Sequence, residues 1–280
     1  MNTLQFGPLA VAADRLIAVA ALWAFVALLS YGRRWTGDET GRSALIPLAI
    51  GLVAARLGFV AENWPAFAIE PWTAAYLWQG GFSLAFGLAA AVLALLVMLR
   101  GKALALALAT LMGVSAVWFV ADRLIEPPPQ PLPLSLKIER LDGRTVALDS
   151  FRGRPFVINL WATWCGPCRR EMPMLAQVAA ANPDVPVLLI NQGEDAERIS
   201  AFLREEGQAS SNILRDSRGV VGQALGSSAL PTTAFVSANG VVTELHIGEI
   251  SRAALTAAVN DLRMLSKGEA ADRVPTLAGR

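Results

Sequence analysis

The chain has 280 residues and only two cysteines, Cys165 and Cys168, which are separated by Gly166 and Pro167. A structural zinc site usually needs four ligands, and the single histidine, His246, cannot complete one with two cysteines. A disulfide between residues three apart closes a very small loop and therefore adds little stability. The spacing indicates thiol–disulfide exchange, for which we expect no bound cofactor and no metal ion.

The cysteines follow a continuous apolar run, Pro155–Trp161, which is typical of a strand buried on both faces. A helical pattern begins near Cys165 and extends to about Ala180, so Cys165 should lie at a helix N-terminus. Unpaired N–H groups and the positive end of the helix dipole lower the pKa of a thiol there and favour the attacking thiolate. Cys168, one turn later, should be more buried and should resolve the mixed disulfide.

A second element lies far downstream, where Leu230-Pro231 comes directly before a predicted strand, Thr232–Ser237. This arrangement resembles the cis-proline loop of thioredoxins, and the alternative is an ordinary trans proline at the start of a strand. A cis-proline loop beside the cysteines would let a substrate backbone pair with Leu230 as an added strand. The expected substrate-binding residues are Trp164, Gly166, Pro167, Leu230 and Pro231.

The remainder of the C-terminal half alternates strand and helix signals. Two hairpins are predicted around Asp142-Gly143 and Asn239-Gly240, whose residue types favour tight turns. The predicted elements are the strands Leu134–Arg140, Thr145–Leu148, Val185–Asn191 and Val241–Ile247, the helix Glu194–Glu206, and a last helix capped by Ser251 that runs to about Leu265. This order predicts an α/β sandwich with a mixed central sheet.

From about residue 134 to 265 the chain resembles the TlpA/ResA branch of the thioredoxin superfamily. The residues that carry the resemblance are the run Asn159–Pro173, which contains Cys-Gly-Pro-Cys, and Leu230-Pro231-Thr232-Thr233. It implies a thioredoxin-like fold and a thiol–disulfide oxidoreductase. It also implies that Glu171, three residues after the second cysteine, acts with the cysteines by tuning their pKa or by shuttling protons. The alternative for Glu171 is a solvated acid that complements the helix dipole.

Other positions bear on the kind of reaction. Asn159 stands where cytosolic thioredoxins keep a buried acid, so proton transfer would depend on Glu171 or on water. Ala162 occupies the position at which a peroxiredoxin-like peroxidase would need a threonine, which argues against a peroxidase. The Gly-Pro dipeptide between the cysteines resembles that of reducing thioredoxins, so we expect a disulfide reductase or a role that supports disulfide isomerisation. The implied partners are periplasmic client proteins with disulfides and a membrane electron donor of the CcdA or DsbD type.

The N-terminal half contains four apolar stretches, each about long enough to cross a hydrocarbon core of about 30 Å. The loop between the first two carries Arg33, Arg34 and Arg42, and the loop between the last two carries Arg100 and Lys102. The positive-inside rule puts both loops in the cytoplasm. The N-terminus and the cysteine domain would then lie in the bacterial periplasm, where disulfides persist. The stretches are Leu9–Tyr31, Ala44–Ala61, Thr73–Leu99 and Ala103–Val120.

These patterns divide the chain into four parts. We expect an α-helical transmembrane bundle of about four helices (1–125), a linker (126–133), a thioredoxin-like domain (134–267) and a disordered tail (268–280). The linker is rich in proline, which favours a stiff and extended spacer. The formal net charge is only +1 and no basic stripe is present, which argues against binding of nucleic acid.

The N-terminal half also resembles the front part of bacterial prolipoprotein diacylglyceryl transferases, which implies an alternative function as a lipid-modifying enzyme with an accessory redox domain. Ala85 stands where that family has a histidine, and no counterpart of its later arginine- and asparagine-bearing motif follows. Arg56 and Glu62, ionisable residues in or near the membrane, are either functional or paired within the helix bundle. The runs that carry the resemblance are Gly7-Pro8, Gly51–Val60, Asn63–Pro65 and Trp78–Ser83.

Overall fold

The computed structural model describes residues 3–6, 9–36, 45–125, 129–207 and 212–272. The chain forms two compact units, Met1–Pro127 and Pro128–Arg280. Four predicted features lie wholly or partly outside the described residues. They are Gly7-Pro8, the loop that contains Arg42, the start of the linker (126–128) and the end of the tail (273–280).

The N-terminal unit is mainly helical. A hairpin of two short strands, β1 (Thr3–Phe6) and β2 (Leu9–Ala12), precedes the first helix. The helices are α1 (Ala13–Thr36), α2 (Leu45–Glu62), α3 (Trp64–Ile69), α4 (Leu84–Met98) and α5 (Gly101–Ile125), with 3₁₀ turns at Pro71–Ala75 and Leu77–Gln79.

Small residues let α2 and α4 pack closely. A Cβ atom added at Gly87 would lie 2.9 Å from the Cβ of Ala55, and one added at Gly51 would lie 3.0 Å from the Cβ of Ala91. Such contacts between small residues are common where membrane helices associate, because they let the two backbones approach each other. A separate buried cluster joins α1, the end of α4 and α5 through Phe25, Leu29, Leu95, Leu99 and Ala107.

Among the described residues, two helices are long and apolar enough to cross a membrane. They are α2 and the segment Gly101–Ala121 of α5, and two shorter apolar segments, Val19–Gly32 and Leu84–Met98, accompany them. The predicted first stretch begins as strand β2, so its helix starts only at Ala13.

The third predicted stretch, Thr73–Leu99, is wrong in its first part. Residues 73–83 form 3₁₀ turns and a loop, in which Gly80 and Gly81 have positive φ and so interrupt any helix. The helix that follows has 15 residues, which is about 22 Å at about 1.5 Å per residue. That is shorter than the hydrocarbon core of about 30 Å.

The C-terminal unit is built on a mixed eight-stranded sheet with the order β3-β10-β9-β6-β7-β8-β4-β5. Strands β6, β7 and β8 are parallel, and every other neighbouring pair is antiparallel. The strands are β3 (Gln130–Pro131), β4 (Lys137–Arg140), β5 (Thr145–Ala147), β6 (Phe156–Trp161), β7 (Val187–Gln192), β8 (Ile213–Asp216), β9 (Thr232–Val236) and β10 (Val241–Ile247).

Helices cover the sheet and enclose two hydrophobic cores. The helices are α6 (Gly166–Ala181), α7 (Ala196–Glu205), α8 (Val220–Ala224) and α9 (Arg252–Asp272), with a 3₁₀ turn at Leu148–Phe151. Alternate residues of β6 face opposite cores. Val157 and Trp161 join the core that contains residues of α6, α7 and α9, whereas Ile158 and Leu160 join the other. The central strand β6 ends at Trp161, shortly before α6 begins at Gly166.

The mixed sheet, the two predicted hairpins and the helix after β6 are confirmed. The sequence did not predict β3, β8 or α8, which are short. Strand β3 falls in the proline-rich linker, where Gln130 and Pro131 pair with β10, so the second half of that segment belongs to the sheet. Helix α9 continues to Asp272, so residues 268–272 are helical and not disordered.

Candidate active site

The cysteines lie where β6 is followed by α6. Cys165 is the N-cap residue of α6, as predicted, and its Sγ accepts a hydrogen bond from the backbone N–H of Cys168 at 3.3 Å. Pro167 lies in the first turn, where the helix has no intrahelical partner for an N–H group. The two Sγ atoms are joined in a disulfide, so the site is in its oxidised form.

The first cysteine is the more accessible of the two. Cys165 is 4% exposed and Cys168 is 1% exposed, which agrees with the expectation that the second cysteine is more buried. The neighbouring Trp164 is 65% exposed, and Gly166 is exposed as well. Trp161, by contrast, is buried in the core. A large apolar ring held in solvent next to a reactive sulfur is suited to contact another protein.

The cis-proline loop is confirmed, because the Leu230–Pro231 peptide bond is cis. The carbonyl of Pro231 accepts a hydrogen bond from the N–H of Gly248 at 2.9 Å, and β9 begins at the next residue. Leu230 is half-buried and packs against the hydrophobic cluster that contains both cysteines. The structure therefore brings together the two sequence motifs that lie far apart in the chain.

Glu171 is buried on α6 and is 3% exposed. Its Oε1 accepts a hydrogen bond from Nδ2 of Asn159 and its Oε2 accepts one from the N–H of Ile250, both at 2.9 Å. Burial raises the pKa of Glu171 to about 7, although the two hydrogen bonds oppose this rise by favouring the ionised form. The alternative of a solvated acid in the first helical turn is therefore wrong.

This carboxyl group has the properties of a proton carrier. A group with a pKa near 7 can both accept and release a proton at neutral pH. Glu171 lies three residues after Cys168 on α6, and residues three apart share a face of a helix. The site thus combines a pair of cysteines at a helix N-terminus with a carboxyl group, one turn further along the helix, whose pKa is about 7.

A second buried carboxylate, Glu194, was not identified from the sequence. It accepts hydrogen bonds from the N–H and the hydroxyl of Thr163 at 2.7 and 2.6 Å, and from Nδ2 of Asn191 at 2.7 Å. Arg198 forms a salt bridge with it at 2.8 Å. Burial acts to raise the pKa of Glu194, but these hydrogen bonds and the charge of Arg198 hold that pKa below its usual range.

Glu194 anchors the loop that leads into the cysteines. Thr163 lies two residues before Cys165, and both of its polar groups are held by the Glu194 carboxylate. The signal that could have revealed this contact is the polar run Asn191–Asp195, which comes directly after a buried strand. Polar residues at the end of a parallel strand lie at the same edge of the sheet as the end of β6.

Two arginines directly follow Cys168. Arg169 forms an ion pair with Glu206, and Arg170 forms one with Glu249 at 2.6 Å. Both arginine side chains are at least half exposed. The ion pair of Arg169 with Glu206 joins two partly exposed side chains, and such pairs contribute little to stability.

In the N-terminal unit, Arg56 and Ser83 are buried polar residues with hydrogen-bond partners in the same unit. Arg56 donates to the backbone carbonyls of Thr73, Ala74, Gly80 and Gly81 at 2.6 to 2.9 Å. The hydroxyl of Ser83 donates to Oε1 of Glu62 at 3.0 Å. Arg56 is therefore paired within the helix bundle, where it holds the loop between α2 and α4.

Comparison with known proteins bears on the C-terminal unit. Residues 129–262 match the Redoxin family. The matched segment, called the Redoxin domain below after the family that it resembles, contains all eight strands of the mixed sheet, both cysteines, Glu171 and the cis-proline loop.

Curated relatives of the Redoxin domain have names that describe redox chemistry at thiols. The thiol:disulfide interchange protein DsbE of Escherichia coli K12 is 31% identical over 125 residues, which cover 44% of this chain and 66% of that protein. The thiol–disulfide oxidoreductase ResA of Geobacillus thermodenitrificans is 32% identical over 114 residues, which cover 40% and 65% of the two proteins. The chain thus spans slightly less than two thirds of the length of each.

A solved structure of a secreted Mycobacterium tuberculosis disulfide oxidoreductase, described as homologous to E. coli DsbE, is 28% identical to this chain. The match covers 46% of this chain and 96% of that one, with a TM-score of 0.42. The curated relatives support a thiol–disulfide oxidoreductase in the Redoxin domain, as the sequence predicted.

Proposed function

We propose that this protein is a membrane-anchored thiol–disulfide oxidoreductase that reduces disulfide bonds of client proteins on the periplasmic side of the bacterial inner membrane. The observation that carries the proposal is the disulfide between Cys165 and Cys168 at the N-terminus of α6. The cis-proline loop that packs on the same cluster and the names of the curated relatives support it.

Cys165 would be the nucleophile of the first step. In the reduced protein its thiolate, stabilised by the helix N-terminus, attacks one sulfur of a client disulfide. A bond forms between Cys165 and that sulfur, the client S–S bond breaks, and the other client sulfur leaves as a thiolate that takes up a proton. Cys165 suits this role because it is the more accessible cysteine and lies beside the exposed Trp164.

Cys168 would complete the reaction. Its thiol gives up its proton to Glu171 or to water, and the resulting thiolate attacks the sulfur of Cys165. The Cys165–Cys168 bond forms, the mixed disulfide breaks, and the client leaves with both of its sulfurs reduced. The client gains two electrons and the protein dithiol loses two.

The client would bind across the two loops that meet at the cysteines. An extended client segment would pair with the backbone at Leu230, in the manner of an added strand. Its side chains would contact Trp164, which is exposed, and Leu230, which is half-buried. The remaining contacts would come from Gly166, Pro167 and Pro231.

The N-terminal unit would anchor this domain in the lipid bilayer. Helix α2 and the Gly101–Ala121 segment of α5 have the length and composition to cross it. Arg100, between α4 and α5, and Lys102, in the first turn of α5, favour a cytoplasmic position for that turn. The unit contains no cysteine, so it cannot itself carry electrons by dithiol exchange. The reductant would be a separate membrane protein of the CcdA or DsbD type.

Single-cysteine variants of the full chain, produced in bacterial cells, test the proposal. The Cys168→Ser variant can form a mixed disulfide but cannot resolve it, so it should accumulate covalent complexes with clients. The matched variant Cys165→Ser lacks the nucleophile and should accumulate few. Mass spectrometry of the trapped complexes identifies the clients, and periplasmic proteins are expected.

Two outcomes would contradict the proposal. Accumulation with Cys165→Ser but not with Cys168→Ser would reverse the roles of the cysteines. A disulfide reductase would be excluded if neither variant traps a client and the reduced full-length protein also fails to reduce insulin or glutathione disulfide.

A further inference from the structure

Hydrogen bonds link three buried polar side chains in the Redoxin domain, those of Asn159, Glu171 and Thr233. Asn159 joins the other two, lies on the central strand β6, and is 1% exposed. Its Nδ2 donates to Oε1 of Glu171 at 2.9 Å and to Oγ1 of Thr233 at 3.1 Å. Glu171 and Thr233 are 3% and 0% exposed, so none of these groups can exchange its partner for bulk water.

The amide of Asn159 joins two elements of the site that are not adjacent in sequence. Glu171 belongs to α6, the helix that carries Cys165 and Cys168. Thr233 belongs to β9, which begins directly after the cis proline Pro231. Because one amide nitrogen donates to a side chain on each element, the orientation of the amide group is set by both.

We propose that Asn159 is a positioning residue for the dithiol reaction: its side-chain amide holds the Glu171 carboxyl group in place and favours the ionised form of that group. The inference rests on the proposed function, in which Glu171 takes up the proton of Cys168. It adds a residue that acts on the cysteines only through Glu171.

The physical reason is a balance between burial and hydrogen bonding. Burial favours the neutral carboxyl, whereas a donor to a carboxylate oxygen favours the ionised form. Glu171 has two such donors, Nδ2 of Asn159 on Oε1 and the N–H of Ile250 on Oε2. Without Asn159, one of these two donors would be lost, and Glu171 would stay protonated to higher pH.

Two charged side chains near Glu171 act on its pKa in opposite directions. Glu249 raises the pKa of Glu171 and Arg170 lowers it, and these two side chains form an ion pair with each other. Their effects on Glu171 are therefore of opposite sign. Cys168, three residues before Glu171 on the same helix, is disulfide-bonded here and does not titrate, and the Thr233 hydroxyl that accepts from Asn159 is neutral.

Infrared spectroscopy of the full-length protein in detergent, recorded across a pH titration, tests the inference directly. The C=O band of the protonated Glu171 side chain is identified by its absence in Glu171→Gln. We expect the midpoint of its disappearance to rise by about one pH unit in Asn159→Leu, a tenfold change in the ionisation constant, because a donor to a charged group is lost.

The chain offers a matched control on the next strand. Asn191 on β7 is also a buried asparagine in a central parallel strand, but its Nδ2 donates to Glu194 instead of Glu171. Asn191→Leu should leave the Glu171 midpoint unchanged. If Asn159→Leu does not fold, Asn159→Ala removes the same donor without adding bulk, and the same rise is expected.

An unchanged midpoint in a folded Asn159 variant, or an equal rise in Asn191→Leu, would overturn the inference. A parallel measurement separates this failure from failure of the proposed function. The pH profile for reduction of a model disulfide should move with the infrared midpoint. If the midpoint moves while wild-type protein shows no reductase activity, the proposed function fails and the positioning of Glu171 by Asn159 stands.

Discussion

Replacement of Glu171 by glutamine should remove a large part of the pH dependence of stability in the Redoxin domain. The pKa of Glu171 is about 7 in the folded protein, against an ordinary value of 4.5. The folded state therefore binds this proton more tightly than the unfolded state does. The stability contributed by the protonated group is fully present below pH 4.5 and is lost as the pH rises towards 7.

The size of the effect follows from the same two values. The difference between about 7 and 4.5 corresponds to roughly 3 kcal/mol, at about 1.36 kcal/mol per pKa unit. Solvent screening does not reduce this figure much, because Glu171 is only 3% exposed. The free energy of unfolding of the wild type should fall by roughly 3 kcal/mol between about pH 4.5 and pH 8, relative to Glu171→Gln.

Hydrogen exchange followed by mass spectrometry measures this without unfolding the N-terminal unit. Peptides that cover β6 report the free energy of opening of the central sheet in the full-length protein, once intrinsic exchange rates are corrected for pH. Glu197→Gln, at an exposed position of α7, is the matched control for replacing a glutamate by a glutamine.

The reasoning is refuted if wild type and Glu171→Gln show the same change in opening free energy across this pH range. It is also refuted if the wild type becomes more stable, relative to the variant, as the pH rises. Either result would mean that burial does not favour the protonated form of this carboxyl group.

Three further predictions concern other parts of the molecule. Glu194→Gln should destabilise the Redoxin domain by about 1–3 kcal/mol, because the ionised group that accepts hydrogen bonds from Thr163 and Asn191 is lost. Thermal unfolding measures this, and an unchanged unfolding temperature would contradict it. Trp164→Ala should lower kcat/KM for a client disulfide by about tenfold. It should change the free energy of unfolding by less than about 0.5 kcal/mol, since the ring is 65% exposed. A large loss of stability with unchanged kcat/KM would contradict this prediction. Arg56→Lys should destabilise the N-terminal unit in detergent by about 3 kcal/mol, because an ammonium group cannot reach four carbonyls on two chain segments. Arg100→Lys, at an exposed position, is the control. Equal effects of the two substitutions would argue that the four hydrogen bonds of Arg56 do not hold the loop.

The central strands and the cysteine motif could be predicted because each has a strong local pattern. Strands β6 and β7 each have six mainly apolar residues, and Cys165 comes between a strand and a helix. By contrast, β3 has only two residues and β8 only four, which is too short for a period to be visible. The proline-rich sequence around β3 favours an extended chain, but it does not reveal that the chain pairs with β10.

The partners of the acidic residues could not be predicted, since they come from distant positions. Glu171 is bound by residues 12 and 79 positions away in the chain. Glu194 holds a threonine that lies 31 residues earlier. No local pattern records these contacts, because they arise when β6, α6 and the β10–α9 loop are packed together. In the N-terminal unit, apolar composition alone could not locate the break at Gly80 and Gly81 within the third stretch.

The most direct test of the whole account is labelling of single cysteines from outside the inner membrane. Reduced Cys168→Ser and Cys165→Ser variants would be treated in spheroplasts with a maleimide that does not cross membranes. The account predicts rapid labelling of Cys165 in the first variant and slow labelling of Cys168 in the second. Labelling that appears only after the membrane is permeabilised, or faster labelling of Cys168, would contradict it.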